Sequence, residues 1–277
     1  MAPSKVMPAE MQIPHNVPRG RFKHVLFDFD GTISLLREGW ERIMGPLMVE
    51  VITGASEAAP EIEQEVAAYI DESTGVQTIL QMERLTEMVR AHGLIPEDQI
   101  RDAQAYKWLY NARLMEIVHG RIAKLESGTL TIDDVTVSGA VAFLEELRNR
   151  DLTLYVFSGT DAADVRYEAA TLGVTPYFKE IWGALDTYEA YSKEKVLREI
   201  LREHGLHGSE VLVVGDGPVE IRNAKQHGCA ALGVASDETR GSGWNEEKRV
   251  RLLKAGADIL IPDFREHEML TAYLVPA

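Results

Sequence analysis

Acidic side chains stand just after short apolar runs of the chain, where parallel strands would end. Asp28 and Asp30 follow one run, and Asp216 follows another, with Glu220 four residues further along. Buried carboxylates that come together repel one another strongly unless a cation lies among them. Because Mg2+ takes oxygen ligands and keeps positions open for water and a substrate phosphate, we predict that these four residues form a Mg2+ site.

The same arrangement predicts phosphoryl transfer. A carboxylate can attack phosphorus and form an aspartyl phosphate when a metal and a cationic side chain screen its charge from the substrate. Asp28 leaves its strand first and is the predicted nucleophile, while Asp30 would protonate the leaving oxygen and then activate the hydrolytic water. Ser158 and Gly159, after a third apolar run, would hold phosphate oxygens, and Lys193 would bind phosphate and neutralise charge in the transition state.

Short apolar runs and helical segments alternate along most of the chain, and this alternation predicts an α/β fold. Runs of this length bounded by glycine or polar residues indicate buried strands, and strands that alternate with helices form a parallel sheet covered on both faces. In such a doubly wound sheet, ligands bind outside the carboxyl ends of the strands, which would bring the polar clusters together. The predicted strands span residues 22–27, 152–157, 180–185, 211–214, 230–235 and 257–261.

Helix boundaries are marked by residues that favour the first turn. Ser138 and Ser192 are predicted N-caps, and Pro218 is predicted to open a helix. The segment from 34 to 131 shows only helical periodicity, and its last helix is predicted to run from 96 to about 125. We therefore predict an all-helical insertion between the first and second strands.

The composition is that of a globular protein and excludes several classes of function. The chain has 277 residues, which suits one large domain or a domain with a substantial insertion. No apolar run approaches the roughly 20 residues that a membrane span needs. Acidic side chains outnumber basic ones 44 to 29, and the net charge of −15 disfavours nucleic acid as a partner.

Two further features bear on the compartment and the amino terminus. The single cysteine, Cys229, cannot form an internal disulfide, and the chain does not open with a signal-peptide pattern. We therefore expect a cytoplasmic location. Residues 1–20 are expected to form an extended or disordered lead-in.

Taken together, the polar clusters resemble the motifs of the haloacid dehalogenase (HAD) superfamily. Asp28-Phe29-Asp30-Gly31-Thr32, Ser158, Lys193 and Gly215-Asp216-Gly217-Pro218-Val219-Glu220 stand in the order and rough spacing of its four motifs. The chain looks like the phosphoglycolate-phosphatase-like branch, with a helical C1-type cap between the first two motifs. The resemblance implies a Rossmann-like core at 21–33 and 132–277 and a cap at 34–131. It also implies Mg2+ dependence, an aspartyl-phosphate intermediate and a small phosphorylated metabolite as substrate.

Some residue assignments have alternatives. Lys195 competes with Lys193 as the catalytic lysine. Glu220 stands where the superfamily more often has aspartate, so it either ligates the cation directly or orients a bound water. In the insertion, Arg37 and Gln77 are the candidates for contact with the organic part of the substrate.

Two other functions are compatible with parts of this pattern. A phosphomutase shares both aspartates and passes the phosphoryl group to a substrate hydroxyl instead of to water. A non-catalytic phosphate-sensing module would have lost Asp28, Asp30 or Asp216, and all three are present. We therefore predict a Mg2+-dependent phosphatase, with sugar phosphates or phosphoglycolate as the candidate substrates.

Overall fold

The computed structural model describes residues 10–54, 59–184 and 192–276. In these ranges six parallel strands form one sheet in the order β3-β2-β1-β4-β5-β6. The strands are β1 (His24–Phe27), β2 (Thr153–Asp161), β3 (Phe178–Ala184), β4 (Val211–Gly215), β5 (Ala230–Val234) and β6 (Ile259–Ile261). The strand order reverses beside β1, which makes the sheet doubly wound and Rossmann-like. The predicted α/β fold class is confirmed.

Ten α-helices accompany the sheet in the described part of the chain. They are α1 (Glu41–Thr53), α2 (Pro60–Glu72), α3 (Thr78–His92), α4 (Ala103–Glu126), α5 (Ala140–Arg148), α6 (Ala162–Thr171), α7 (Lys193–Glu203), α8 (Pro218–Gln226), α9 (Glu246–Ala255) and α10 (His267–Leu274). Helices α1 to α4 all lie between β1 and β2 along the chain, which confirms a helical insertion after the first strand. Its boundaries at 34 and 131 stay a prediction. Among the residues described, no helix combines the length and apolar character that a membrane span requires.

The central strand β1 is buried on both faces of the sheet. Val25 and Phe27 pack into one hydrophobic core, and Leu26 packs into the second core on the opposite face. A strand covered on both faces is apolar throughout, which explains its continuous rather than alternating apolar run. Phe27 pairs with Val156 of β2 and with Val214 of β4, so the residues that follow these three positions are neighbours.

Two predicted helix starts are wrong. Ser138 does not cap a helix, because α5 begins after Gly139, whose φ is 80°, and the Ser138 backbone bonds to other loops instead. Helix α4 begins at Ala103 rather than near 96, because the Asp102 side chain accepts a hydrogen bond from the Ala105 backbone (2.8 Å) and caps the helix there.

The described part of the predicted lead-in, residues 10–20, runs along an outer edge of the sheet. Gln12 pairs antiparallel with Leu260 of β6 through two backbone hydrogen bonds of 2.9 Å. Met11 and Val17 are buried beside this edge. The segment therefore covers backbone groups that an open sheet edge would leave exposed. Residues 1–9 of the lead-in lie outside the described residues.

Candidate active site

The end of β1 carries the first predicted site residue. Asp28 is buried, and its backbone N–H donates to a carbonyl of β4 (2.8 Å), which fixes it between two strands. Its Oδ1 accepts a hydrogen bond from the Phe29 backbone (2.8 Å), and its Oδ2 lies 2.8 Å from Lys193 Nζ. Burial raises the pKa of Asp28 well above its usual range, Lys193 lowers it in part, and nearby carboxylates raise it further.

Asp30 lies two residues further on, and its carboxyl group points to a different part of the site. Its Oδ2 accepts hydrogen bonds from Thr160 Oγ1 (2.7 Å) and Ser158 Oγ (3.4 Å). Its Oδ1 is 3.8 Å from Arg37 Nε and is buried without a hydrogen-bond partner among the described residues. Burial raises the pKa of Asp30, and Arg37 opposes the rise. The two aspartates therefore have different partners.

The turn between β4 and α8 brings two further carboxylates to Asp28. Asp216 follows β4, and Glu220 lies in the first turn of α8, which opens at Pro218 as predicted. One carboxylate oxygen from each of Asp28, Asp216 and Glu220 lies within 4.8 Å of the others, and all three residues are buried. Buried, hard oxygen donors of this kind fit Mg2+. The Asp30 carboxyl group is outside this set, so a part for Asp30 in the cation site stays a prediction.

A lysine from α7 completes the cluster, and it is Lys193 rather than Lys195. The Ser192 side chain accepts a hydrogen bond from the Lys195 backbone (3.0 Å) and caps α7 as predicted, which places Lys193 in the first turn. Lys193 Nζ lies 3.0 Å from Glu220 Oε2 as well as against Asp28, and the residue is 5% exposed. Lys195 is half-buried and is not among the residues that line the cavity.

Asp28, Asp30, Asp216 and Lys193 line a cavity of about 80 Å³ between the sheet and the helical insertion, whereas Glu220 is not among its lining residues. Ser158 and Gly159 of β2 also line it, and their contact with phosphate stays a prediction. The loop between α2 and α3 closes it, since a Cβ atom on Gly159 would lie 3.4 Å from the carbonyl oxygens of Gly75 and Val76. Gly75 has a φ of 85°, and a Cβ there would lie 2.9 Å from Glu220 Oε2. The insertion therefore touches the acidic cluster directly.

Comparison with known proteins places this fold and site in a family. A family model described as haloacid dehalogenase-like hydrolase matches residues 22–228. The chain belongs to the HAD-like hydrolases. A 5′-nucleotidase of Pseudomonas aeruginosa is 23% identical over 232 residues, which cover 83% of this chain and 88% of that protein. A phosphoglycolate phosphatase of Vibrio parahaemolyticus is 28% identical over 98 residues, which cover 35% of this chain and 43% of that protein.

The crystal structure of a predicted phosphoglycolate phosphatase from Haemophilus somnus has the same fold as this HAD-like hydrolase. Its TM-score is 0.61 at 18% identity, and the match covers 91% of this chain and 98% of the other. At this identity the likeness shows the fold alone.

Arg37, a predicted substrate residue, lines the cavity of this HAD-like hydrolase. Its guanidinium group is also bound to α6, with Nη2 2.6 Å from Glu168 Oε1 and 3.3 Å from Asp164 Oδ2. Burial raises the pKa of Glu168 to about 7 in spite of Arg37. Arg37 therefore links Asp30 to α6, and its contact with substrate stays a prediction.

Gln77, the other predicted substrate residue, is buried at the start of α3 but does not line the cavity. Its neighbours Val76 and Thr78 do, together with Trp40 and Tyr110 from the rest of the insertion. Substrate contact through Gln77 stays a prediction that this placement does not favour.

Three residues of the HAD-like site were not predicted from the sequence. Thr160 donates to Asp30, and its place directly after Ser158 and Gly159 was a usable signal. Lys248 Nζ lies 2.9 Å from Asp216 Oδ2 and 2.6 Å from Glu238 Oε1. Burial lowers the pKa of Lys248, but its two acidic partners raise it more. No motif or spacing marks Glu238 or Lys248.

Proposed function

We propose that this HAD-like hydrolase is a Mg2+-dependent phosphatase that hydrolyses a small phosphorylated metabolite through an aspartyl phosphate on Asp28. One observation carries the proposal: two aspartates at the end of one strand have opposite surroundings. Asp28 lies against Lys193 and two carboxylates, whereas Asp30 lies against hydroxyl groups and Arg37. Burial raises the pKa of both aspartates, so Asp28 depends on Lys193 and on the proposed cation to stay ionised as a nucleophile, whereas Asp30 lies outside the acidic cluster and can carry a proton.

In the first step, an oxygen of Asp28 forms a bond to phosphorus while the bond between phosphorus and the ester oxygen breaks. Asp30 gives its proton to that ester oxygen, so the organic product leaves as a neutral alcohol. The raised pKa of Asp30, caused by burial, favours the protonated form that this step needs. The Oδ1 atom of Asp30 has no hydrogen-bond partner among the described residues, so this oxygen can carry the proton.

In the second step, Asp30 takes a proton from a water molecule, and the water oxygen attacks phosphorus. The bond between phosphorus and Asp28 then breaks, which restores Asp28 and releases inorganic phosphate. Mg2+, held by Asp28, Asp216 and Glu220, would supply the positive charge that lets one anion approach another. Lys193 adds a fixed cation beside the nucleophile.

The substrate is proposed only at the level of its class. The cavity is small and covered by the helical insertion, which would exclude bulk water from the reacting atoms. Named relatives act as a 5′-nucleotidase and a phosphoglycolate phosphatase, so nucleoside monophosphates, phosphoglycolate and sugar phosphates form the first test panel. The cytoplasmic location stays a prediction.

Phosphate release tests this function. The protein should release phosphate from an aryl phosphate and from some members of the panel with Mg2+, and it should stop after treatment with a chelator. Inactivity across the whole panel would contradict the proposal. An isomerised phosphate ester in place of free phosphate would show a mutase.

The nucleophile is tested by substitution. Asp28→Asn should abolish turnover and leave the circular dichroism spectrum unchanged, and acid-quenched wild type should carry the phosphoryl group on the peptide that contains Asp28. Asp237→Asn is a matched control, because Asp237 pairs at the surface with Arg240. Near-normal turnover by Asp28→Asn would show that the assignment is wrong.

A further inference from the structure

Lys248 is held rigidly beside the proposed cation ligands. It lies in the first turn of α9, where the Asn245 side chain caps the helix by accepting a hydrogen bond from the Lys248 backbone (3.0 Å). The Asn245 backbone in turn donates to the Ala235 carbonyl (2.8 Å), which ties the start of α9 to the end of β5. Lys248 is 4% exposed. Its ammonium group therefore has a fixed position.

The ammonium group of Lys248 donates a hydrogen bond to one carboxylate oxygen of Asp216. Lys248 Nζ donates to Asp216 Oδ2 (2.9 Å), while Asp216 Oδ1 accepts a longer hydrogen bond from Thr32 Oγ1 (3.3 Å). Gly31 makes room for this contact: its φ is 72°, and a Cβ atom there would lie 2.3 Å from Asp216 Oδ2 and 3.0 Å from Glu238 Oε1. The strong partner on Oδ2 leaves Oδ1 as the oxygen available to a cation.

Lys193 and Lys248 bridge four carboxylates beside the proposed cation site. The carboxylates are Asp28, Asp216, Glu220 and Glu238, and the ammonium groups are Lys193 and Lys248. Four negative and two positive charges leave a formal charge of −2. Among the groups that these two lysines bridge, each lysine thus cancels one carboxylate, which leaves two negative charges beside the proposed cation.

We propose that Lys248 is a positioning residue that limits Asp216 to one oxygen for the cation and thereby sets a preference for Mg2+ over Ca2+. Ca2+ takes six to eight oxygen ligands and often binds both oxygens of a carboxylate, whereas the smaller Mg2+ takes six ligands at shorter distances. An Asp216 that offers one oxygen suits Mg2+ better. The inference rests on the proposed function only in taking Asp216 as a cation ligand.

Calorimetric titration of the metal-free protein with Mg2+ and with Ca2+ tests this role without any substrate. Wild type should bind Mg2+ more tightly than Ca2+. In Lys248→Met the preference should fall roughly tenfold or more, chiefly because Ca2+ binds more tightly. Lys248→Arg keeps a donor for Asp216 and should retain the preference. Lys254→Met, at the exposed end of the same helix, is the matched control and should also retain it.

An unchanged ratio of the two affinities in Lys248→Met would overturn the inference, and so would a wild type that binds Ca2+ as tightly as Mg2+. If thermal unfolding shows that Lys248→Met does not fold, the same titrations are carried out on Glu238→Gln. That variant keeps Lys248 on Asp216, so both affinities should weaken and their ratio should hold; loss of the ratio would overturn the inference. A wild type that binds neither cation would instead contradict the proposed function.

Discussion

Replacement of Lys193 tests the charge arrangement of the site. Lys193→Met keeps most of the apolar stem and removes the ammonium group, which lies 2.8 Å from Asp28 and 3.0 Å from Glu220. The side chains of Lys193, Asp28 and Glu220 are 4%, 7% and 0% exposed, so solvent screens the two ion pairs of Lys193 very little. Removing one partner of a buried ion pair costs about 3–5 kcal/mol, because the remaining charge stays buried without compensation.

The expected loss of stability is large enough to measure by thermal unfolding. In a chain of this size, 1 kcal/mol shifts the Tm by about 2–4 °C, so Lys193→Met should lower the Tm by roughly 6–20 °C in metal-free buffer. Lys193 is also the main influence that lowers the pKa of Asp28. Without it, Asp28 takes up a proton more readily, so the deficit in Tm should shrink as the pH falls.

The same substitution should slow turnover. Loss of a fixed group that stabilises charge in a transition state costs about 10²–10³ in kcat. Phosphate release at saturating Mg2+ measures this loss, with Lys195→Met as the matched control, because Lys195 is two residues away and outside the cavity lining. Wild-type turnover and Tm in Lys193→Met would refute the reasoning, and inactivation by Lys195→Met would transfer the role to that residue.

Four further predictions address other parts of the molecule. Asp30→Asn should slow both formation and breakdown of the aspartyl phosphate in rapid-quench experiments, and an undiminished burst with normal steady-state hydrolysis would reject its acid/base role. Gly31→Ala should weaken Mg2+ binding in calorimetry and cost about 1–2 kcal/mol in denaturant unfolding, because its backbone is left-handed and its Cβ would meet Asp216; wild-type affinity would count against this packing. Mg2+ at one hundred times its Kd should add about 2.7 kcal/mol of stability, and a Tm equal to that in chelator would contradict the cation site. Burial lowers the pKa of His24 from its usual 6.5 to about 4, so protonation favours the unfolded chain and stability present above pH 6.5 is lost as the pH falls towards 4. His24→Phe should flatten that fall in acid unfolding curves, and an identical curve would show that another group causes it.

The residues that could be predicted from the sequence are those placed by regular structure. Asp28 and Asp216 each follow a short apolar run, and parallel strands carry the residues after their ends to one edge of the sheet. Lys193 follows a serine cap, so its place in the first turn of α7 was also predictable. In each case a local pattern determines the element, and the sheet brings the elements together.

The residues that were missed or misplaced depend on irregular loops. Lys248 and Glu238 reach the site because the loop after β5 folds back on itself, with Ser236 bridged to Trp244, and no periodic pattern encodes that path. Gln77 lies outside the cavity although both of its neighbours line it, since side-chain direction in the turn after α2 changes from one residue to the next.

Ion pairs near the cavity join the helical insertion to the rest of the protein. The loop after α2 lies against Gly159 at the edge of the cavity. Ion pairs that cross the boundary between the insertion and the rest of the protein include Lys107 of α4 with Asp161 of β2 (2.6 Å), Arg37 with Glu168 of α6 (2.6 Å), and Arg251 of α9 with Asp71 of α2. Asp71 is 67% exposed, so its pair contributes about 0–1 kcal/mol, whereas the Lys107 side chain is only 8% exposed and loses more when its partner leaves. Breaking the buried pairs of Arg37 and Lys107 would therefore cost more than breaking the pair of Asp71.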